Sequence, residues 1–107
     1  MPAALQLVVD QIKASEALIE DLKRKDDKLA RIKAMVQRDY MRIYMKIKMR
    51  ARRGASRAGD DEELQAAYDI RLNKMASIHK HRHALSVKLL KEKRNLRHLR
   101  EESTHIR

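Results

Sequence analysis

"RRGASRAGDDEEL", residues 52 to 64, holds both glycines of a 107-residue chain, five positions apart, with four consecutive acids after the second. Glycine accepts left-handed backbone that other residues resist, and it commonly stands just past the end of a helix. Asp60 is placed to accept the backbone N–H of Glu63 while the Glu63 side chain reaches back, a capping-box arrangement with an acidic first turn. The stretch therefore predicts the end of one helix, a turn over 54–59 and a new helix from residue 60.

Everything around that turn reads as helix. There is one proline, Phe and Trp are absent, and Ala, Leu, Lys, Arg, Glu and Met dominate. Hydrophobic residues make up 43% and charged residues 38% of the chain. A monomer of this composition buries only a thin core, and self-association would supply the missing area.

A first helix is expected over about 3–25. Leu5, Val8, Ile12, Ile19 and Leu22 recur at three- and four-residue steps, with Ser15 in one inward position. Pro2 suits its first turn, and Asp10, Glu16, Glu20 and Asp21 point outward. "KRKDDK" (23 to 28) then interrupts the stripe. The run is either a polar stretch of one long helix or a junction at which cations close one helix and Asp26 or Asp27 caps the next. The junction is the reading taken, with a second helix over about 27–53 carrying Leu29, Ile32, Val36, Tyr40, Ile43 and Ile47 inward. A third helix, about 60–103, keeps a seven-residue rhythm through Leu64, Tyr68, Met75, Ile78, Leu85, Leu89, Leu96 and Leu99. Arg71, Arg82 and Glu92 fall in inward slots of that rhythm, so the seam is not dry. The expected fold is all-α: two or three long amphipathic helices forming a hairpin in a single domain over 1–107, dimerising into a helical bundle.

Net charge is +11, unevenly spread. Residues 1–22 sum to −3, residues 23–57 to +11, residues 58–69 to −5 and residues 70–107 to +8. A polyanion is the natural partner of such a chain. Within the second helix, Arg31, Arg38, Arg42, Lys46, Arg53 and Arg57 fall opposite the apolar stripe, and Lys48 and Arg50 are further candidate nucleic-acid contacts. Solvated helices usually alternate charge signs, yet no acid stands between Arg42 and Arg57. From Arg38 to Arg57 the basic stripe would extend roughly 28 Å as α-helix, about one turn of a nucleic-acid duplex. Such a helix, touching phosphates and sugar hydroxyls with little to read base edges, suits shape recognition of double-stranded RNA. Met41, Met45 and Met49 form a stripe next to the basic one, readable as packing surface or as a greasy strip within a binding surface. Three tyrosines are too few for a base-stacking platform. In the third helix Lys91 and Arg94 either extend the surface or keep the helix soluble.

Other chemistry is not expected. The chain has no cysteine, which excludes disulfides, thiolate metal sites and thiol catalysis. "HKHRH" (79 to 83) sets His79 and His83 one turn apart, but Lys80 and Arg82 crowd them and no carboxylate is nearby in sequence, so phosphate contact is the better reading for these and His81. No catalytic constellation, cofactor or metal is expected, and no stretch reaches the roughly 18 apolar residues of a membrane span. An intracellular, cytoplasmic protein without a small-molecule substrate is the expectation.

With its opening "MPAALQLVV", its amphipathic first helix and its basic second helix, the chain resembles the B2 proteins of nodaviruses over residues 1–60. The resemblance implies a helix 1–helix 2 hairpin that dimerises into a four-helix bundle, lies along double-stranded RNA and shields it from host silencing, with Arg38, Arg42, Lys46 and Arg53 as carried-over contacts. Residues 60–107 are longer and more basic than that family's pattern. Two other readings compete: a coiled-coil structural or assembly protein whose basic face docks an acidic protein, and a non-specific DNA binder.

Overall fold

The computed structural model describes residues 3–106, and among them the regular structure is two α-helices, α1 (Ala3–Arg52) and α2 (Asp60–Ile106), packed as a hairpin. The expected helix start at Pro2 lies outside the described residues. Packing along the two helices falls into two compact units. One unit draws on the chain up to Lys28 and from Arg82 onward; the other is Leu29–His81 and contains the turn. A seam between two helices has no shared interior, so contacts are local along it and each stretch packs by itself.

The turn is built from hydrogen bonds that the last carbonyls of α1 would otherwise lack. Gly54 N–H donates to the Ala51 carbonyl at 3.1 Å and Ala55 N–H to the Arg50 carbonyl at 2.8 Å, with Gly54 at φ +69°. This is the Schellman arrangement, and it needs one left-handed residue. Gly59, at φ +88°, begins α2: its carbonyl accepts the Glu63 N–H at 2.9 Å.

The expected capping box does not form. Asp60 N–H is already bonded to the Arg57 carbonyl, and Glu63 N–H is taken by Gly59. The Asp60 carboxylate instead turns back, accepting Arg57 N–H at 2.9 Å and the Arg50 guanidinium at 2.8 Å. Glu63 reaches Lys46 Nζ at 2.9 Å. For these carboxylates, bonds in which the donor is charged as well outcompete capping bonds to a neutral backbone N–H.

The junction at 23–28 is also absent, because α1 runs unbroken through it. Lys and Arg are good helix formers, no Gly or Pro interrupts, and Lys25 pairs with Asp21 one turn back at 3.0 Å. Asp26 caps nothing. It faces α2, where Arg82 donates to both its oxygens at 2.8 and 3.2 Å.

In the unit of the chain ends, the α1 seam is Val8, Ile12, Ser15, Ile19, Leu22 and Asp26, packed against Arg82, Leu85, Leu89, Glu92, Leu96, Leu99 and Ser103 of α2. In the turn-containing unit it is Leu29, Lys33, Val36, Tyr40, Ile43, Ile47 and Arg50 against Asp60, Leu64, Ala67, Arg71, Met75 and Ile78. Steps of three and four alternate, the 3.5-residue period of a two-stranded coil, except for consecutive fours at 67–71–75, a local stutter. Two expected core residues are displaced by this phase. Lys33 is half-buried while Ile32 is exposed, and Ala67 is buried while Tyr68 is exposed.

Several polar seam residues meet polar partners. Ser15 Oγ donates to Glu92 at 2.7 Å, Asp26 holds Arg82, Arg71 Nε donates to Gln37 at 2.6 Å, and Arg50 holds Asp60. No buried side-chain nitrogen or oxygen among the described residues lacks a partner.

A Cβ at Gly54 would meet nothing within 4 Å, so the backbone angle alone selects glycine there. Gly54→Ala is expected to destabilise by roughly 1–2 kcal/mol in chemical denaturation. Hydrogen bonds from Arg57 N–H and Arg50 hold the Asp60 carboxyl below its ordinary range, and the Arg82 guanidinium does the same to Asp26. A depressed carboxylate contributes stability above its unfolded pKa of about 3.9 and loses it as pH falls through the lower folded value. Denaturation midpoints should therefore drop below about pH 4, and Asp60→Asn should flatten that acid limb.

Candidate nucleic-acid interface

Over residues 29–52, α1 carries eight Lys or Arg and one acid, Asp39. Burying the seam fixes which of them face water. With Leu29, Val36, Tyr40, Ile43 and Ile47 inward, the three rows turned farthest from α2 read Arg38, Met45, Arg52; Met35, Arg42, Met49; and Ala34, Met41, Lys48, with Arg31 one turn ahead. All ten residues are exposed, and none is acidic. Among the described residues no ion pair involves Arg31, Arg38, Arg42, Lys48 or Arg52. Lys48 instead stands over the Tyr44 ring, 5.4 Å from its centroid.

The remaining expected contacts sort differently. Lys46 is exposed but paired with Glu63, and Arg50 is a seam residue, its side chain 21% accessible and bound to Asp60. The acids missing from sequence positions 43–56 thus arrive in space from the first turn of α2. Cations at the end of α1 and anions at the start of α2 also complement the two helix dipoles. Part of the basic run is therefore explained by the fold.

Arg53 and Arg57 lie in the turn rather than on the helix, so the helical stripe ends at Arg52, not Arg57. Both are exposed. Lys91 and Arg94 are exposed on α2 in the other unit. Tyr40 is held in the seam region, 6.1 Å from Tyr44, 6.4 Å from Tyr68 and beneath the Arg71 guanidinium, and so is not a base-stacking surface. His79, His81 and His83 are exposed, and His81 Nδ1 lies 2.7 Å from the Ser77 carbonyl. No group of three or more His, Asp or Glu among the described residues is placed to hold a metal ion.

Neither known protein families, nor curated proteins, nor solved structures give a significant match to this chain. The site therefore rests on its own geometry.

Two residues escaped the sequence reading. Arg52 and Met35 belong to the outward face, and extending the seven-residue rhythm of α2 onto α1 would have placed both. Among the described residues no helix is long and apolar enough to cross a membrane.

The two classes of cation separate by experiment. Arg50→Ala strips Asp60 of its guanidinium and should lower the denaturation midpoint. Arg42→Ala, on the outward face, should leave stability within about 0.5 kcal/mol.

Proposed function

We propose that this chain binds double-stranded RNA without sequence preference, acting as a homodimer and performing no catalysis. The observation that carries the reading is the acid-free outward face of α1: Arg31, Arg38, Arg42, Lys48 and Arg52, all exposed and without ion-pair partners among the described residues. Like charges so placed repel, and phosphates relieve the repulsion while releasing counterions. From Arg31 to Arg52 the face extends about 31 Å along the helix. It carries no Asn, Gln or acid to pair with adenine or cytosine edges, and the deep, narrow major groove of A-form RNA keeps its arginines from guanine edges, so the contacts it offers such a duplex are positional rather than sequence-specific. Arg53 and Arg57 in the turn, and the exposed Lys91 and Arg94 of α2, are supplementary contacts.

Self-association is favoured by the balance of apolar surface. Among the described residues eight apolar side chains are buried and twelve large ones are exposed, Leu7, Leu18, Ile70 and Leu90 among them. A second copy covering part of that surface supplies the core that one hairpin lacks. A protein of this kind would coat cytoplasmic duplex RNA and screen it from enzymes that cut duplexes, the role implied by the nodavirus B2 resemblance.

One observation favours the acidic-protein reading. In the unit of the chain ends, Ile19 and Leu96 floor an open groove of about 560 Å³ edged by four cations, Lys23, Lys93, Arg97 and Arg100, and one acid, Glu101. Apolar floor with cationic edges suits an acidic amphipathic helix.

A gel-shift titration against matched duplex RNA, duplex DNA and single-stranded RNA at two salt concentrations separates the readings. Preference for duplex RNA, weakening steeply with salt, is the expected result. Replacing Arg38, Arg42, Lys48 and Arg52 together by Gln should reduce the log–log salt slope by about one per cation removed. Equal affinity for duplex DNA would make the chain a general duplex binder, and no complex at low salt would turn the face toward a protein.

A further inference from the structure

The basic face contains more than phosphate binding requires. Met35, Met41, Met45 and Met49 are 55%, 38%, 47% and 38% exposed, and they interleave with the cations rather than lying beside them. Along each outward row the two residue types alternate: Arg38, Met45, Arg52 in one and Met35, Arg42, Met49 in the next. Residues three and four apart on a helix surface have Cβ atoms about 5–6 Å apart, so every methionine has a cation as its neighbour. Asp39 is the only acid of α1 in this unit, and it is not on these rows.

This alternation decides what can cover the face. A partner helix packs through an unbroken apolar row with charges at its edges. Here every seven-residue row carries a guanidinium or ammonium, and the one apolar run, Met41, Met45 and Met49 at four-residue steps, is flanked by Arg38, Arg42, Lys48 and Arg52, so a dry helical seam would bury unpaired cations. A second copy presenting the same face adds only like charge. A nucleic-acid strand, by contrast, itself alternates anionic phosphate with the C–H surface of the sugar. Flexible, polarisable thioethers fit that irregular C–H surface, and the cations between them reach the phosphates.

The duplex form follows from groove width and lining together. An α-helix with its side chains is about 10–12 Å across. The major groove of B-DNA, about 12 Å wide, admits it but presents base edges rather than riboses; the minor groove of B-DNA, about 6 Å wide, does not admit it, nor does the deep, narrow major groove of A-form RNA. The wide, shallow minor groove of A-form RNA does, and it is lined by riboses.

Building on the duplex-RNA reading proposed above, we infer that Met35, Met41, Met45 and Met49 pack against ribose faces of the duplex, supplying affinity that does not depend on counterion release. Cations and methionines then divide the work. The cations set the salt dependence, and the methionines set a salt-independent share of binding and the preference for sugar-lined grooves.

The test is oxidative footprinting of the full chain. Protein alone, protein saturated with a duplex RNA of about two helical turns, and protein saturated with inorganic polyphosphate are pulsed with dilute hydrogen peroxide, and sulfoxide at each methionine is read by mass spectrometry. Duplex RNA should slow oxidation of Met35, Met41, Met45 and Met49 by roughly fivefold or more, leaving the half-buried Met75 of α2 unchanged. Polyphosphate, with phosphates but no sugars, should bind and leave all of them reactive. In parallel, changing Met41, Met45 and Met49 together to Gln should weaken duplex binding by roughly ten- to a hundredfold while the salt slope stays that of the parent. The same three changed to Leu should retain affinity. A duplex complex whose methionines oxidise at the free rate overturns the inference and leaves the RNA reading standing. Equal protection by polyphosphate, or a Gln variant of parental affinity, also overturns it. Absence of any duplex complex at low salt removes the RNA reading itself, and this inference with it.

Discussion

The phase of the seam is the constraint on which everything else depends. Each helix has one narrow row to bury, and once Val36, Tyr40, Ile43 and Ile47 are committed to it, no freedom remains in what α1 shows to solvent. Rotating α1 by one residue would expose Ile47 and bring Lys48 inward. It would also dismantle the alternating arrangement of methionines and cations. The outward face is therefore not an independent feature but the geometric complement of the core.

What holds that phase is a set of matched polar positions rather than apolar packing alone. The apolar part of the seam would tolerate a slip of one heptad, because one Leu or Ile resembles the next. The polar part would not. Shifting α2 by seven residues would remove Asp26 from Arg82 and Gln37 from Arg71, leaving charges against apolar side chains at an uncompensated desolvation cost. Such pairs add little stability when half exposed, as Asp26 and Arg82 are. Their larger effect is to penalise the wrong registers. The same logic places Arg50 and Asp60 at the turn, where their pairing also satisfies Arg57 N–H through the second carboxylate oxygen.

This explains what could and could not be read from the sequence. The turn was legible because Gly54 and Gly59 have a local, backbone reason to be there, and the inward rows were legible wherever Ile, Leu and Val mark them. The continuity of α1 was not, because "KRKDDK" has the composition of a helix boundary, and only the Arg82 side chain, 56 residues away in sequence, shows why Asp26 belongs inside. Ile32 and Tyr68 misled for a related reason. An apolar residue beside a short or polar seam residue, Lys33 or Ala67, looks like the better core candidate until the period is followed across the polar slot. Of the basic residues read as lying opposite the core, Arg31, Arg38, Arg42 and Lys46 are exposed on α1. The pairing of Lys46 and Arg50 was not legible, because charge balance was sought along the chain, whereas Glu63 and Asp60 supply it across the turn.

The separation of structural from outward cations also bears on how a bound polyanion would be released. Ion pairs on the surface and contacts to phosphates both weaken as salt rises, the pairs because added ions shorten the Debye length, about 8 Å at physiological ionic strength, and the phosphate contacts because releasing counterions then gains less entropy. Arg50 and Asp60 are far less exposed than the outward arginines, with side-chain accessibilities of 21% and 9%, so screening reaches them less. The Schellman bonds at Gly54 and the apolar seam respond to salt weakly or in the opposite sense. A rise in salt sufficient to strip phosphates from Arg38, Arg42 and Lys48 therefore leaves the turn closed and the seam in phase. Binding through this face would then be reversible without unfolding, because the charges that hold the hairpin together are not those that a polyanion would use.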